Sequence, residues 1–326
     1  MEFYGTLGTA CASRAMLSKL FQEGMTGVRL NLSHTSLTAC ASLLHDVFWP
    51  AAHAAGINAH LIVDLQGPEL RVGTLAQPVL LREGEYVLLG SGGIPVPDVV
   101  LTAAQPGRQI SLDDSALLLE VRESRQSALL CRVVRGGVLN SRKSLAILGV
   151  QPDTPALTAD DFANLDQAAE MGVTHILQPF VRGREDVATL RRALDERGLQ
   201  HVQIMAKIEN QLGLDHLEEI MDSADQICIA RGDLGNAMPL WELPGVQKML
   251  SRRCREAQKP FCLVTQLLWS MEQRPVPTRA EVADIYNGVL DGASSLMLTG
   301  ETAVGKYPVQ AMEYLVKTAR QAMAAL

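Results

Sequence analysis

Eight times along the chain, a short apolar run of strand character is followed by a longer stretch with helical periodicity. The strand-like runs cover residues 3–7, 27–32, 60–64, 175–180, 203–209, 226–232, 260–266 and 295–301. Helical patterns lie between most of them, at 13–23, 36–55, 159–171, 184–197, 214–221, 244–257 and 279–290, and a last one at 308–326 follows the eighth run. Strands joined by helical crossovers run parallel with a fixed hand. Eight such units predict an α/β fold, a (β/α)8 TIM barrel, whose functional groups sit at the C-terminal ends of the strands.

One stretch interrupts the alternation. From Gly67-Pro68 to about Val150 the texture becomes Gly/Pro-punctuated, with short alternating runs at 85–89, 109–112, 116–121 and 128–134 and no helical pattern. This predicts barrel segments 1–66 and 151–326, and a small all-β domain at 67–150 inserted after the third strand. Its position above the barrel mouth predicts a lid.

Composition narrows the function classes. A hydrophobic content of 47% with 20% charged residues is that of a globular protein. The formal charge of -7 argues against a nucleic-acid surface. No apolar run reaches bilayer length and no basic leader precedes one, so a cytoplasmic protein without membrane contact is expected. The six cysteines form no C-x-x-C pair, which predicts buried reduced thiols. The seven histidines lack metal-ligand spacing.

The chemistry concentrates where strands end. Lys207 and Glu209 are two residues apart on one strand and share a face; Asp233 ends the next strand of the same βαβ unit. Glu209 and Asp233 are candidate ligands for Mg²⁺ or Mn²⁺. Lys207 is placed to neutralise a transferring phosphoryl group; a structural Lys–Glu ion pair is the competing reading. Gly232 and Gly235 flank Asp233-Leu234, freeing backbone N–H groups for an anion. Arg29, Asn31 and Ser33 alternate along another strand end beside Asp64. These hard oxygen donors suit a monovalent cation, and Arg29 suits a phosphate. Thr265 adds a hydroxyl, and Thr299 with Glu301 forms a possible proton relay. Each feature alone is more economically structural; jointly they mark the catalytic end of a barrel. Trp241 and Trp269 are expected to be packing or interface residues, Arg252, Arg253 and Arg255 a solvated helix face, and Asp113-Asp114 a turn.

The segments VRLNLSH (28–34), DLQGPELR (64–71), LDD (112–114), GGVLNSRK (136–143), KIEN (207–210), ARGDLG (230–235), TQ (265–266), PTRAE (277–281) and MLTGETAVGKYP (297–308) together resemble the pyruvate kinase family over nearly the whole chain. The resemblance implies that Glu209 and Asp233 bind the divalent cation and that Lys207 stabilises the phosphoryl group. It implies that Asn31, Ser33, Asp64 and the Leu65 carbonyl hold K⁺, and Glu69 matches the residue type of potassium-dependent members. By the same resemblance Arg29, Arg71 and Lys143 contact phosphates, while the Gly232-Asp233 backbone and Thr265 hold the substrate carboxylate. Thr265, Thr299 and Glu301 lie along the proton path. The implied reaction transfers a phosphoryl group from phosphoenolpyruvate to ADP, giving pyruvate and ATP.

The sequence also departs from the family pattern. The family's C-terminal effector domain has no counterpart in it, which predicts a homodimer through barrel surfaces and no sugar-phosphate regulation. Thr9, Gln66, Thr35, Ser115, Ser144, Leu148, Pro179 and Trp269 replace the usual residues. These changes touch the lid and the nucleotide side and leave the metal and phosphoryl residues intact. The alternative is therefore an enzyme of changed specificity, using metal–enolate chemistry on a related 2-oxo acid or enol phosphate as a lyase or decarboxylase. A non-catalytic binding protein is disfavoured by the retention of Lys207, Glu209 and Asp233.

Overall fold

A computed structural model describes residues 1–33, 35–113, 115–150 and 152–326. His34 of the VRLNLSH segment and Asp114 of the expected turn lie outside the described residues. Along the chain come β1 (Glu2–Thr6), β2 (Gly27–Asn31) and β3 (His60–Asp64). Then follow β4 (Val79–Leu81), β5 (Tyr86–Gly90), β6 (Gln109–Leu112), β7 (Leu117–Arg125), β8 (Ala128–Arg135), β9 (Gly137–Leu139) and β10 (Leu145–Ile147). The chain continues with β11 (His175–Gln178), β12 (Gln203–Ile208), β13 (Gln226–Ala230), β14 (Phe261–Val264) and β15 (Ser295–Met297).

β1, β2, β3 and β11 to β15 close into an all-parallel barrel, ordered β1-β15-β14-β13-β12-β11-β3-β2. The predicted (β/α)8 architecture is present. Alternation sorts the strand side chains into two cores. Tyr4, Ile62, Leu177, Met205, Cys228, Cys262 and Met297 fill the barrel. Their strand neighbours, such as Leu61, Ile176, Ile204 and Ile227, pack outward against the helices. Local signals set the helix starts. Thr278 and Glu281 form a capping box on the helix Arg279–Leu290, and Thr158 and Asp161 do so on Ala159–Leu165. All six cysteines are buried and free.

The segment between β3 and β11 makes its own antiparallel sheet, β10-β6-β7-β8-β5, plus the β4/β9 pair, around a separate apolar cluster. It also contains a helix, Asp98–Ala103, where none was expected. At six residues, with one fully buried side chain, Val100, the helix is too short to display periodicity. Three expected single helices are broken. Residues 36–55 divide into a 3₁₀ turn (Thr38–Cys40), a π-helical stretch (Leu43–Phe48) and an α-helix (Trp49–Ala54). Pro50 has no N–H for an i−4 carbonyl, which favours the looser winding before it. Residues 159–171 divide after Leu165. The 214–221 pattern divides at His216, whose Nδ1 lies 2.8 Å from the Arg182 carbonyl oxygen.

The barrel interior, at the N-terminal end of its strands, contains a titratable group with a defined consequence. His175 is buried, edge-on to His60 at 4.9 Å. Burial, then the His60 charge, pushes its pKa down to about 4. The unfolded chain therefore binds the extra proton between about pH 6.5 and 4, so this contribution is complete above pH 6.5 and is lost as pH falls through that window. At pH 5 the loss should be ~2 kcal/mol. Urea unfolding of wild type and His175→Asn at pH 7 and pH 5 checks it. The wild type should lose that much more than the variant, and equal losses would refute it.

Candidate active site

Parallel strands bring their C-terminal ends to one rim, and there the chain places its charged side chains. Asp64 ends β3 and is only 2% exposed. Arg29 on β2 grips it, with Nη2 at 2.6 Å and Nε at 2.8 Å from Oδ2, and also donates to Thr6 Oγ1. Lys207 on β12 approaches the other oxygen, Oδ1, at 3.4 Å. The ammonium of Lys207 also lies 2.9 Å from Glu209 Oε1. One cation thus bridges two buried carboxylates from non-adjacent strands. Burial alone would raise the pKa of Asp64, but Lys207 and Arg29 outweigh it and hold it below the ordinary carboxylate range. Burial would lower that of Lys207, but Asp64, Glu209 and Asp233 raise it above the ordinary lysine value. The ion-pair and phosphoryl readings of Lys207 are therefore not exclusive: the ion pair exists.

Glu209 lies just past the end of β12 and is 3% exposed. Its Oε2 accepts the Phe180 N–H at 2.9 Å, from a residue held at φ +54°. Its Oε1 has the Lys207 charge beside it but no hydrogen-bond donor in line. Burial raises the carboxyl to about 7, against the opposing pull of Lys207. A buried carboxylate oxygen at a cleft, with a lone pair beyond the one facing Lys207, fits a metal ligand. Asp233 is exposed, near enough to Glu209 and Lys207 to act on both electrostatically. Among the described residues no group of three or more His, Cys, Asp or Glu side chains is arranged to hold a metal. Two carboxylates is the number Mg²⁺ uses when water and substrate complete its shell.

Glu69, Glu209 and Asp233 face a cleft of about 460 Å³ between the insert and the barrel. Leu148, Val150 and Leu212 form apolar walls, and no Lys, Arg or His is among the lining residues described. Two of the three are ion-paired, Glu69 with Arg71 and Glu209 with Lys207, so an anionic substrate entering this cleft meets chiefly the charge of Asp233.

The remaining expected residues divide. Asn31 and Asp64 are register partners on β2 and β3, and Asn31 Oδ1 accepts the Ser33 N–H at 3.1 Å. They are hard donors of the kind a monovalent cation takes, though Asp64 already serves Arg29 and Lys207. Leu65 is buried next to them, with its N–H bonded to the Leu177 carbonyl. Arg71 is forked onto Glu69 at 2.8 and 3.0 Å, and Lys143 pairs with Asp113 at 2.8 Å. Arg71 and Lys143, two of the three expected phosphate contacts, are thus engaged by carboxylates of the insert segment. Glu301 is buried and accepts from the Leu268 N–H, the Thr299 N–H and the Thr299 hydroxyl. The pairing of Thr299 with Glu301 is therefore real geometry.

Strand ends were read too far. β13 stops at Ala230, and Arg231–Ala237 is helical, so Gly232 and Asp233 sit in a first helical turn rather than a free loop. Their N–H groups still lack intrahelical acceptors. β14 stops at Val264; Thr265 and Gln266 turn sharply, at φ +78° and +54°. Trp241 and Trp269 are 83% and 60% exposed, which excludes the packing role. The basic face of the helix Leu243–Glu256 is solvated as expected, with Arg252 pairing with Glu256 and Arg253 with Glu218.

The sequence matches the pyruvate kinase barrel domain over residues 2–312. It is 37% identical over 325 residues to a pyruvate kinase of Aeropyrum pernix, covering 99% of this chain and 70% of that protein. It is 33% identical to the Geobacillus stearothermophilus pyruvate kinase, covering 98% and 56%, and 37% identical to human pyruvate kinase PKLR, covering 98% and 59%. The chain therefore spans 56% to 70% of the length of these relatives. With this match, these identities, a closed barrel and an inserted antiparallel sheet, the chain belongs to the pyruvate kinase family.

Proposed function

We propose that this chain catalyses phosphoryl transfer between phosphoenolpyruvate and ADP, giving pyruvate and ATP. The observation that carries the reading is Glu209 Oε1: a buried carboxylate oxygen ion-paired with the Lys207 ammonium at 2.9 Å, at an acidic cleft. Glu209 and Asp233 would hold Mg²⁺ or Mn²⁺, which when bound supplies positive charge to the substrate oxygens. Asn31, Ser33, Asp64 and the Leu65 carbonyl would hold K⁺. Lys207 and Arg29 stabilise charge on the transferring group. Thr265 and the Gly232-Asp233 backbone orient the substrate carboxylate. The Thr299 hydroxyl, held by Glu301, moves the proton that quenches the enolate. Arg71 and Lys143 reach phosphates after exchanging Glu69 and Asp113 for them. The insert, 67–150, acts as the lid.

A coupled assay of pyruvate formation, with ADP, Mg²⁺ and K⁺ each omitted in turn, tests this. Turnover should need all three; a folded, metal-loaded protein without turnover refutes it.

A second reading has support of its own: the described cleft lining lacks cations, and Arg71 and Lys143 are already paired. In it the same metal–enolate chemistry serves a related 2-oxo acid or enol phosphate without a nucleotide. Screening those acids without ADP separates the two. For location and assembly, we infer a cytoplasmic homodimer that contacts neither nucleic acid nor membrane. The net charge of -7, the absence of any described helix long and apolar enough to cross a membrane, and the exposed Leu240, Trp241 and Trp269 support it.

A further inference from the structure

Two consecutive non-glycine residues at the end of β14, Thr265 and Gln266, have left-handed backbone conformations. For Thr265, a β-branched residue, φ +78° is a strained state that persists only where surrounding contacts impose it. The contacts come from one side chain. Arg231, the first residue after β13, donates from Nη2 to the Thr265 carbonyl at 2.6 Å and from Nε to the Val264 carbonyl at 3.3 Å. Its Nη1 donates to Asp284 Oδ2 at 2.6 Å, and to Gln247 Oε1 at 3.5 Å. The guanidinium is only 12% exposed, and its fork geometry spans two carbonyls and a carboxylate at once.

The backbone next to Arg231 carries the other half of the same subsite. A β-carbon placed on Gly232 would lie 3.4 Å from Thr265 Cγ2 and 3.6 Å from its Oγ1. The spacing between the Gly232-Asp233 backbone and the Thr265 hydroxyl is thus set through one residue. We propose that Arg231, anchored by Asp284, is a positioning residue: it holds Thr265 in its strained conformation and so places the Thr265 hydroxyl beside Gly232 to receive a substrate carboxylate. Arg231 acts through Thr265 and touches no substrate. The inference rests on the proposed carboxylate subsite.

The test uses the full chain and two probes, Mn²⁺ alone and then pyruvate added to the Mn²⁺-loaded protein. Arg231→Lys keeps the charge but loses the fork. It should leave Mn²⁺ affinity near wild type, since Glu209 is untouched, while pyruvate affinity falls about tenfold or more. Asp284→Asn, which keeps the guanidinium and weakens its anchor, should show the same pattern at smaller size and serves alone if Arg231→Lys does not fold. Thr265→Gly removes the left-handed penalty, so Arg231→Lys should lower Tm less in that background than in wild type. Unchanged pyruvate affinity in both Arg231→Lys and Asp284→Asn with a lowered Tm would make Arg231 merely structural and overturn the proposal. So would a wild type that binds Mn²⁺ but no pyruvate, and simple additivity with Thr265→Gly overturns the strain component. A wild type that binds pyruvate but turns over no phosphoenolpyruvate sinks the phosphotransfer reading and leaves this one standing.

Discussion

Lys207→Met should lower kcat on the order of 10³–10⁵-fold, the range seen when a cation is withdrawn from a transferring phosphoryl group. The side chain is 13% exposed and already lies between two buried carboxylates, so it is fixed before substrate arrives and costs no reorganisation. The same placement means the variant cannot be neutral for stability. Removing one partner of a buried ion pair typically costs ~3–5 kcal/mol. Here the upper end is blunted, because Arg29 still holds Asp64 and the Phe180 N–H still holds Glu209. A Tm several degrees lower is expected, and a divalent cation at Glu209 should restore part of it by replacing the lost charge. Lys207→Arg should recover stability better than rate, since a planar fork does not reproduce a compact ammonium. Steady-state kinetics on folded protein, paired with thermal unfolding with and without Mn²⁺, reads both effects. A kcat loss below tenfold would return Lys207 to the role of a structural ion pair.

The barrel was legible because its signal is repetitive: eight apolar runs separated by amphipathic stretches leave few topologies. Strand ends were not. The strand-like runs extend to Gln266 and Glu301, while the ladder stops at Val264 and Met297. Hydrogen-bond termination depends on the neighbouring strand, which a single run does not display. The rim carboxylates and Lys207 were legible for the opposite reason, since residues two apart on a strand share a face whatever surrounds them. The partners of Arg71 and Lys143 were hidden despite the short distance from Arg71 to Glu69. Nothing local decides whether an arginine faces a carboxylate or a ligand. Arg231 was hidden further: its partners Thr265 and Asp284 lie 34 and 53 residues away. The positive φ that makes it informative belongs to residue types that give no hint of it.

Glu209→Gln should abolish the stabilisation that a divalent cation gives the wild type. At a free concentration 100 times Kd, that stabilisation is ~2.7 kcal/mol. The substitution is nearly isosteric, yet both orientations of the amide are unfavourable. With its oxygen accepting the Phe180 N–H, the NH₂ group takes the place of Oε1 and faces the Lys207 ammonium, donor against donor. Turned over, it sets the NH₂ group against the Phe180 N–H. In neither does a charged oxygen remain for the metal, so affinity should fall at least ~100-fold, with Asp233 alone retaining a weak site. Mn²⁺ titration followed by electron paramagnetic resonance, beside thermal unfolding at each metal concentration, measures the two consequences independently. If Glu209→Gln keeps the wild-type Mn²⁺ affinity, Oε1 is not the ligand, and the cation must be sought at Glu69 and Asp233, which line the same cleft. If affinity is lost while the Tm of the metal-free protein rises, Glu209 is a buried charge held at a cost to stability, which is what a site kept for function rather than for folding requires.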